Sequence, residues 1–125
     1  MSQQITIIGG GLAGSEAALQ LAQRGYEVEL WEMRPGVRTE AHQTDDFAEL
    51  VCSNSLKSIR LDTGAGLLKA EMRILGSILL DIAEKCKVPA GHALAVDREL
   101  FAKAVTASLE THPNIRIIRK EACEL

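Results

Sequence analysis

Residues 9–14 read Gly9-Gly10-Gly11-Leu12-Ala13-Gly14, directly behind the β-branched run Ile5-Thr6-Ile7-Ile8. A short run of that kind is a buried parallel strand. The glycines open a helix over Leu12 to Arg24, with Ala17, Ala18 and Leu21 near helical spacing on its inner face. Gly25 stands where a left-handed C-terminal cap is expected. Glu27 to Glu32 then sets Val28 and Leu30 between polar neighbours and reads as a second strand. Strand, tight turn, helix and strand in that order make a right-handed βαβ unit. The glycine spacing assigns separate tasks: Gly9 permits the turn out of the strand, Gly11 leaves the backbone bare where a pyrophosphate would approach, and Gly14 lets the helix pack close to the sheet. The helix start offers unpaired N–H groups and the positive end of its dipole to the phosphates, so Gly10, Leu12 and Ala13 join the candidate set.

Glu32 closes the second strand 18 residues after Gly14. A carboxylate there can accept hydrogen bonds from both ribose hydroxyls of an adenosine. It also disfavours a 2′-phosphate by like-charge repulsion, which speaks against NADP in this pocket. Arg34 lies two residues on and either weakens that exclusion a little or is a surface arginine. The fingerprint alone does not separate FAD from NAD.

The remainder extends an α/β fold. The chain has 125 residues, one domain at most, and is 46% hydrophobic with charges of mixed sign. Met33 to Arg60 has no clean period and reads as a long, functional loop. From Gly66 to Cys86 one helix is expected, with Leu68, Met72, Leu75, Leu79, Ile82 and Cys86 as a buried stripe. Val88 to Gly91 breaks it. Ala93 to Val96 fits a short strand, Asp97 caps a helix reaching Glu110, and Ile115 to Ile118 is expected as a third parallel strand beside the second. Ala122 to Leu125 reads as the start of another element. The net charge of −3 carries no nucleic-acid footprint. Neither a secretory signal nor a bilayer-spanning run is present, and three widely spaced cysteines fit a reducing cytoplasm. No His/Cys cluster points to a metal.

The most unusual segment is Ala48-Glu49-Leu50-Val51-Cys52-Ser53-Asn54-Ser55-Leu56-Lys57-Ser58. A cysteine amid hydroxyls and an amide is not placed like a core cysteine. Ser53, Asn54, Ser55 and Lys57 are the groups that could stabilise a Cys52 thiolate. A flavin disulfide reductase is excluded, because the next cysteine is Cys86. Cys86 and Cys123 are expected as packing residues. His42 and His92 lie in loops without ligand partners, and His112 is suited to close a helix C-terminus.

Gly9 to Ala18, Glu32-Met33-Arg34-Pro35, Phe47 to Ser58 and Val88 to Arg98 together resemble the N-terminal part of the folate- and FAD-dependent tRNA (uracil-5-)-methyltransferase family of bacteria. Glu49-Leu50-Val51-Cys52-Ser53-Asn54-Ser55-Leu56 is the most specific stretch. His92 departs from the glycine expected there. The resemblance implies a Rossmann-like FAD/NAD(P)-binding parallel sheet with flanking helices, incomplete in this chain. Residues 1–125 would be the first part of the FAD-binding domain, leaving one side of the first strand uncovered. It implies transfer of a one-carbon unit from 5,10-methylenetetrahydrofolate to C5 of a T-loop uridine in tRNA by way of reduced FAD, with NADPH or NADH as reductant. Gly9 to Gly14 would meet the FAD pyrophosphate and Glu32 the ribose. Cys52 would sit near the isoalloxazine as nucleophile, flavin partner or pocket wall. A flavin or NAD oxidoreductase acting on a small molecule, and a non-enzymatic dinucleotide-binding module, are the competing readings.

Overall fold

The computed structural model describes residues 3–124. It begins with the expected βαβ unit. β1 (Gln4–Ile8) pairs in parallel with β2 (Glu27–Trp31), in a register running from Gln4 opposite Glu27 to Ile8 opposite Trp31. Parallel neighbours need a crossover, and α1 (Leu12–Gln23) supplies it. The helix ends where Gly25 takes φ +89° and its N–H donates to the Ala22 carbonyl. β6 (Ile115–Ile118) flanks β2 on the other side, so the sheet order is β1-β2-β6. β2 is therefore central, and its Val28 and Leu30 are buried against Ala18 and Ala22 of α1 and Leu109 of the last helix. The outer edge of β1 has no partner among the described residues, and Ile8 is exposed there.

Between β2 and β6 the chain builds a second, antiparallel sheet that the pattern of apolar residues does not announce. It consists of β3 (Ser55–Ser58), β4 (Lys87–Val88) and β5 (Ala93–Val96), in the order β3-β5-β4. β3 arises inside the expected loop. Its Ser55 opposes Ala95 and Ser58 opposes Ala93 across an irregularity at which Lys57 takes φ +70°. One apolar residue, Leu56, in a four-residue strand leaves no alternation to read. Pairing with β5 creates the strand.

The single helix expected over 66–86 is two helices, α2 (Gly64–Ile74) and α3 (Ile78–Lys85). Gly76 divides them at φ +81°, a conformation that costs glycine nothing. Beyond it the Ser77 hydroxyl accepts from Leu80 N–H and starts α3. The break turns the stripe. Leu79 and Ile82 are buried, Met72 and Cys86 pack at the core margin, but Leu68 is 56% and Leu75 77% exposed. α4 (Arg98–Glu110) begins as expected, with Asp97 Oδ1 accepting from Leu100 N–H at 3.0 Å. It buries Phe101, Val105 and Leu109. Ala122 to Glu124 form no regular element, and Leu125 lies outside the described residues. No helix among the described residues is long and apolar enough to cross a membrane.

Candidate dinucleotide site and cysteine loop

The four glycines behind β1 answer to different constraints. Gly9 takes φ +103°, while its N–H still donates to the Trp31 carbonyl at 2.8 Å and so carries the sheet pairing into the turn. A Cβ on Gly14 would lie 1.8 Å from the Gly9 carbonyl oxygen, so helix and turn approach as closely as bare backbone permits. A Cβ on Gly10 would run into the Phe47 ring at 2.3 Å and into Glu32 Oε2 at 2.8 Å. Gly11 differs: a Cβ there meets nothing within 4 Å, and its φ of −77° suits any residue. The protein's own packing does not require a glycine at that point. Gly11 is also the N-cap of α1 and supplies no side-chain oxygen to the helix. The first-turn N–H groups are thus left without a side-chain acceptor, beside exposed Leu12 and Ala13. Bare backbone, open space and an uncapped helix start fit a pyrophosphate.

Glu32 stands at the tip of β2, 5% exposed. Its Oε2 accepts the Gly10 N–H at 2.8 Å, and its Oε1 accepts both the backbone N–H and Nε of Arg34 at 3.0 Å. Burial alone would raise this carboxyl. The hydrogen bonds from the Arg34 side chain, Arg34 N–H and Gly10 N–H, with the Arg34 charge, outweigh burial and hold it below the ordinary glutamate value. It is therefore ionised at neutral pH. Two lone-pair sites per oxygen leave Oε2 one further hydrogen bond to accept.

Arg34 is not a surface residue; it is 1% exposed. Besides Glu32, its Nη1 reaches Glu49 Oε2 at 2.9 Å and the Thr44 carbonyl at 3.1 Å. Glu49 Oε1 in turn accepts the N–H groups of Gln43 and Thr44. These bonds fold segment 43–49 onto the glycine turn. Ala48, at φ +54°, donates its N–H to the Gly10 carbonyl at 2.9 Å, and Phe47 N–H donates to the Thr106 hydroxyl at 2.8 Å. The Arg119 guanidinium lies 4.2 Å from the centre of the Phe47 ring, on its face. Sequence reasoning quoted Phe47 and Glu49 without a role at this turn and passed over Thr106 and Arg119. No motif spacing links residues that meet across 59 or more positions, as Phe47 and Thr106 do.

Cys52 belongs to a separate place. It is exposed and lines an open cavity of about 380 Å³ with Ser53, Asn54, Val88, Val96, Asp97 and Arg98. The polar neighbours of this thiol also shape the chain. Ser53 Oγ accepts from Ser55 N–H, Ser55 Oγ accepts from Lys57 N–H, and Asn54 Nδ2 donates to the Val96 carbonyl at 3.2 Å. Lys57 lines another, apolar cleft of about 620 Å³ with Leu12, Ala13 and Lys69. That cleft runs from the helix start of the glycine turn to β3. Cys86 packs at the core margin, where burial, and then the nearby Asp97 charge, push its thiol up. Cys123 is exposed rather than packed. His112 Nδ1 accepts from Asn114 N–H just past α4, a bond within the following turn rather than the closing of the helix C-terminus expected of it.

Comparison with known proteins bears on the family and the fold. The profile of the family described as "GIDA: Glucose inhibited division protein A" matches residues 4–125. The chain is 64% identical over 121 residues to a protein of Moorella thermoacetica named methylenetetrahydrofolate–tRNA-(uracil-5-)-methyltransferase TrmFO, covering 97% of this chain and 28% of the relative. It is 54% identical over 125 residues to the protein of the same name from Aquifex aeolicus, again covering 28% of it. The chain thus spans little more than a quarter of the relatives it matches. Among solved structures, that of Aquifex aeolicus GidA superposes with a TM-score of 0.72 over 94% of this chain and 19% of that one, at 18% identity, a likeness of fold. The chain belongs to the glucose inhibited division protein A family, with the Rossmann-like fold of its structural neighbour.

Proposed function

We propose that this chain is the N-terminal part of the FAD-binding domain of a folate-dependent tRNA (uracil-5-)-methyltransferase. One observation carries the reading: an uncapped helix start, free of side chains at Gly11, lies beside a buried, ionised carboxylate at the tip of the neighbouring strand. The name borne by relatives 54–64% identical adds the reaction. In this reading Gly9, Gly10, Gly11, Leu12, Ala13 and Gly14 surround the FAD pyrophosphate, and Glu32 accepts one ribose hydroxyl. FAD, when bound, supplies the reducing equivalents that make a methyl group of the transferred methylene, with 5,10-methylenetetrahydrofolate as donor and NADPH or NADH as reductant.

Cys52 is the thiol of this chain assigned to the reacting end. Its exposure leaves the sulfur accessible to a base or a flavin. Addition of a thiolate to C6 of uracil would turn C5 into the nucleophilic carbon of an enolate. With a net charge of −3, the chain leaves most tRNA phosphate contacts to surfaces beyond it. The enzyme acts on tRNA in the cytoplasm. The full-length protein, purified, should be yellow and should move labelled carbon from methylenetetrahydrofolate into T-loop uridine. Label arriving from S-adenosylmethionine instead, or a colourless protein that binds NAD, would overturn the reading.

A further inference from the structure

The charges at the tip of β2 are arranged to disarm an arginine. In dinucleotide sites, an arginine near the acid at the end of the second strand is what accommodates a 2′-phosphate. Arg34 occupies that neighbourhood, yet its Nε is held by Glu32 and its Nη1 by Glu49 and the Thr44 carbonyl. Two carboxylates to one guanidinium leave the trio with an excess of one negative charge. Glu49 does not depend on Arg34 for its own position, because the Gln43 and Thr44 N–H groups grip its other oxygen at 2.8 and 3.1 Å. The other cations of this region are engaged elsewhere. Arg38 pairs with Asp45, and Arg119 lies on the Phe47 ring with Nη1 donating to the Asp45 and Arg34 carbonyls.

We infer that Glu49 is a specificity-determining residue: by holding Arg34 in a pair with Glu32, it reserves the adenosine pocket for nucleotides with a free 2′-hydroxyl and rejects those with a 2′-phosphate. The inference rests on the dinucleotide reading of the glycine turn. Glu49 acts through Arg34, and so is a positioning residue, not a catalytic one.

The test is calorimetry on the full chain stripped of nucleotide, with two probes. ADP-ribose carries the adenosine and pyrophosphate common to FAD and NAD; 2′-phospho-ADP-ribose adds the phosphate. The native chain should prefer ADP-ribose by about 100-fold or more, the size of a like-charge penalty in a partly buried site. Glu49→Gln keeps the shape, removes the charge and should narrow the preference below about 10-fold. Glu49→Asp, which keeps the charge, should retain it. A role in folding alone would weaken both probes by the same factor, and an unchanged ratio in Glu49→Gln would overturn the inference. Should Glu49→Gln fail to fold, Arg34→Met decides: with the guanidinium gone, the preference must stay or widen, and a narrowed one would refute the assignment. A native chain that binds neither probe would instead refute the dinucleotide reading beneath it.

Discussion

The glycine turn and the cysteine loop lie on different sheets and are built by opposite means. At the turn, Glu32, Arg34 and Glu49 bond to one another and to the backbone around them, with Glu32 and Arg34 buried and Glu49 half-buried. Parallel strands on either side of β2 fix the tip that carries Glu32. In the cysteine loop, Val51 to Asn54 are exposed, and the bonds that shape it are local: Ser53 to Ser55, Ser55 to Lys57. Asn54 ties it to Val96 through one side-chain and one backbone bond. The difference teaches that one site is preorganised within this chain, whereas the other presents a thiol on a surface. A buried acid with fixed partners suits holding a ligand in one pose; an exposed sulfur suits meeting a partner that arrives.

Substitutions can break that contrast, beginning with the largest effect. Gly14→Ala drives a Cβ into the Gly9 carbonyl and should cost about 3 kcal/mol or more, read as a lowered denaturation midpoint, because neither backbone can yield. Its counterpart Gly11→Val adds a side chain where there is space. The fold should lose only about 1 kcal/mol through the poorer cap. Dinucleotide affinity, measured by calorimetry, should fall about 100-fold or more, because the side chain fills the room of the phosphates. If both variants behaved alike, the distinction between packing glycine and ligand glycine would be lost.

Cys52→Ala should reduce turnover of the whole enzyme by about 100-fold while stability moves by less than about 0.5 kcal/mol, since the side chain is exposed. Retained turnover would return the loop to a structural role. Glu16→Gln probes the brace between the halves. This carboxylate on α1 accepts the Ile78 and Leu79 N–H groups and the Ser77 hydroxyl, and so caps α3 from outside. Burial would raise its pKa, but the bonds from Gln20, Ile78, Leu79 and Ser77 outweigh burial and lower it from 4.5. The stabilisation is complete above that unfolded value and is lost as pH falls through the lower folded one, because the unfolded chain then binds a proton the folded chain refuses. Glu16→Gln should cost about 1 kcal/mol at neutral pH and flatten the acid limb of a stability–pH curve. An unchanged limb would mean that Glu16 does not couple the helices. The smallest effect is expected of Asn54→Ala, about 0.5–1 kcal/mol, because the backbone bond from Val96 to Asn54 survives.

The glycine turn, the helix behind it, the cap at Asp97 and the three parallel strands were legible in the residues, because each rests on a local rule about backbone freedom, capping or burial. The break at Gly76 was legible in principle: a glycine inside a helical pattern followed by serine is a stop and a start. The apolar stripe concealed it, since Met72, Leu79 and Ile82 keep nearly helical spacing across the kink. β3 was illegible, because a Ser-Leu-Lys-Ser segment becomes a strand only when β5 pairs with it.

The sequence by itself determined a turn without side chains and a carboxylate at a strand tip, since both follow from residue type and spacing along one short stretch. Only the tertiary structure decided what each charge there does. Arg34, Glu49 and Phe47 acquire their partners by folding segment 43–49 back onto the turn, and Thr106 and Arg119 arrive from the far end of the chain. Local conformational preferences are written in neighbouring residues, whereas the burial and pairing of a charge depend on contacts that no spacing rule encodes.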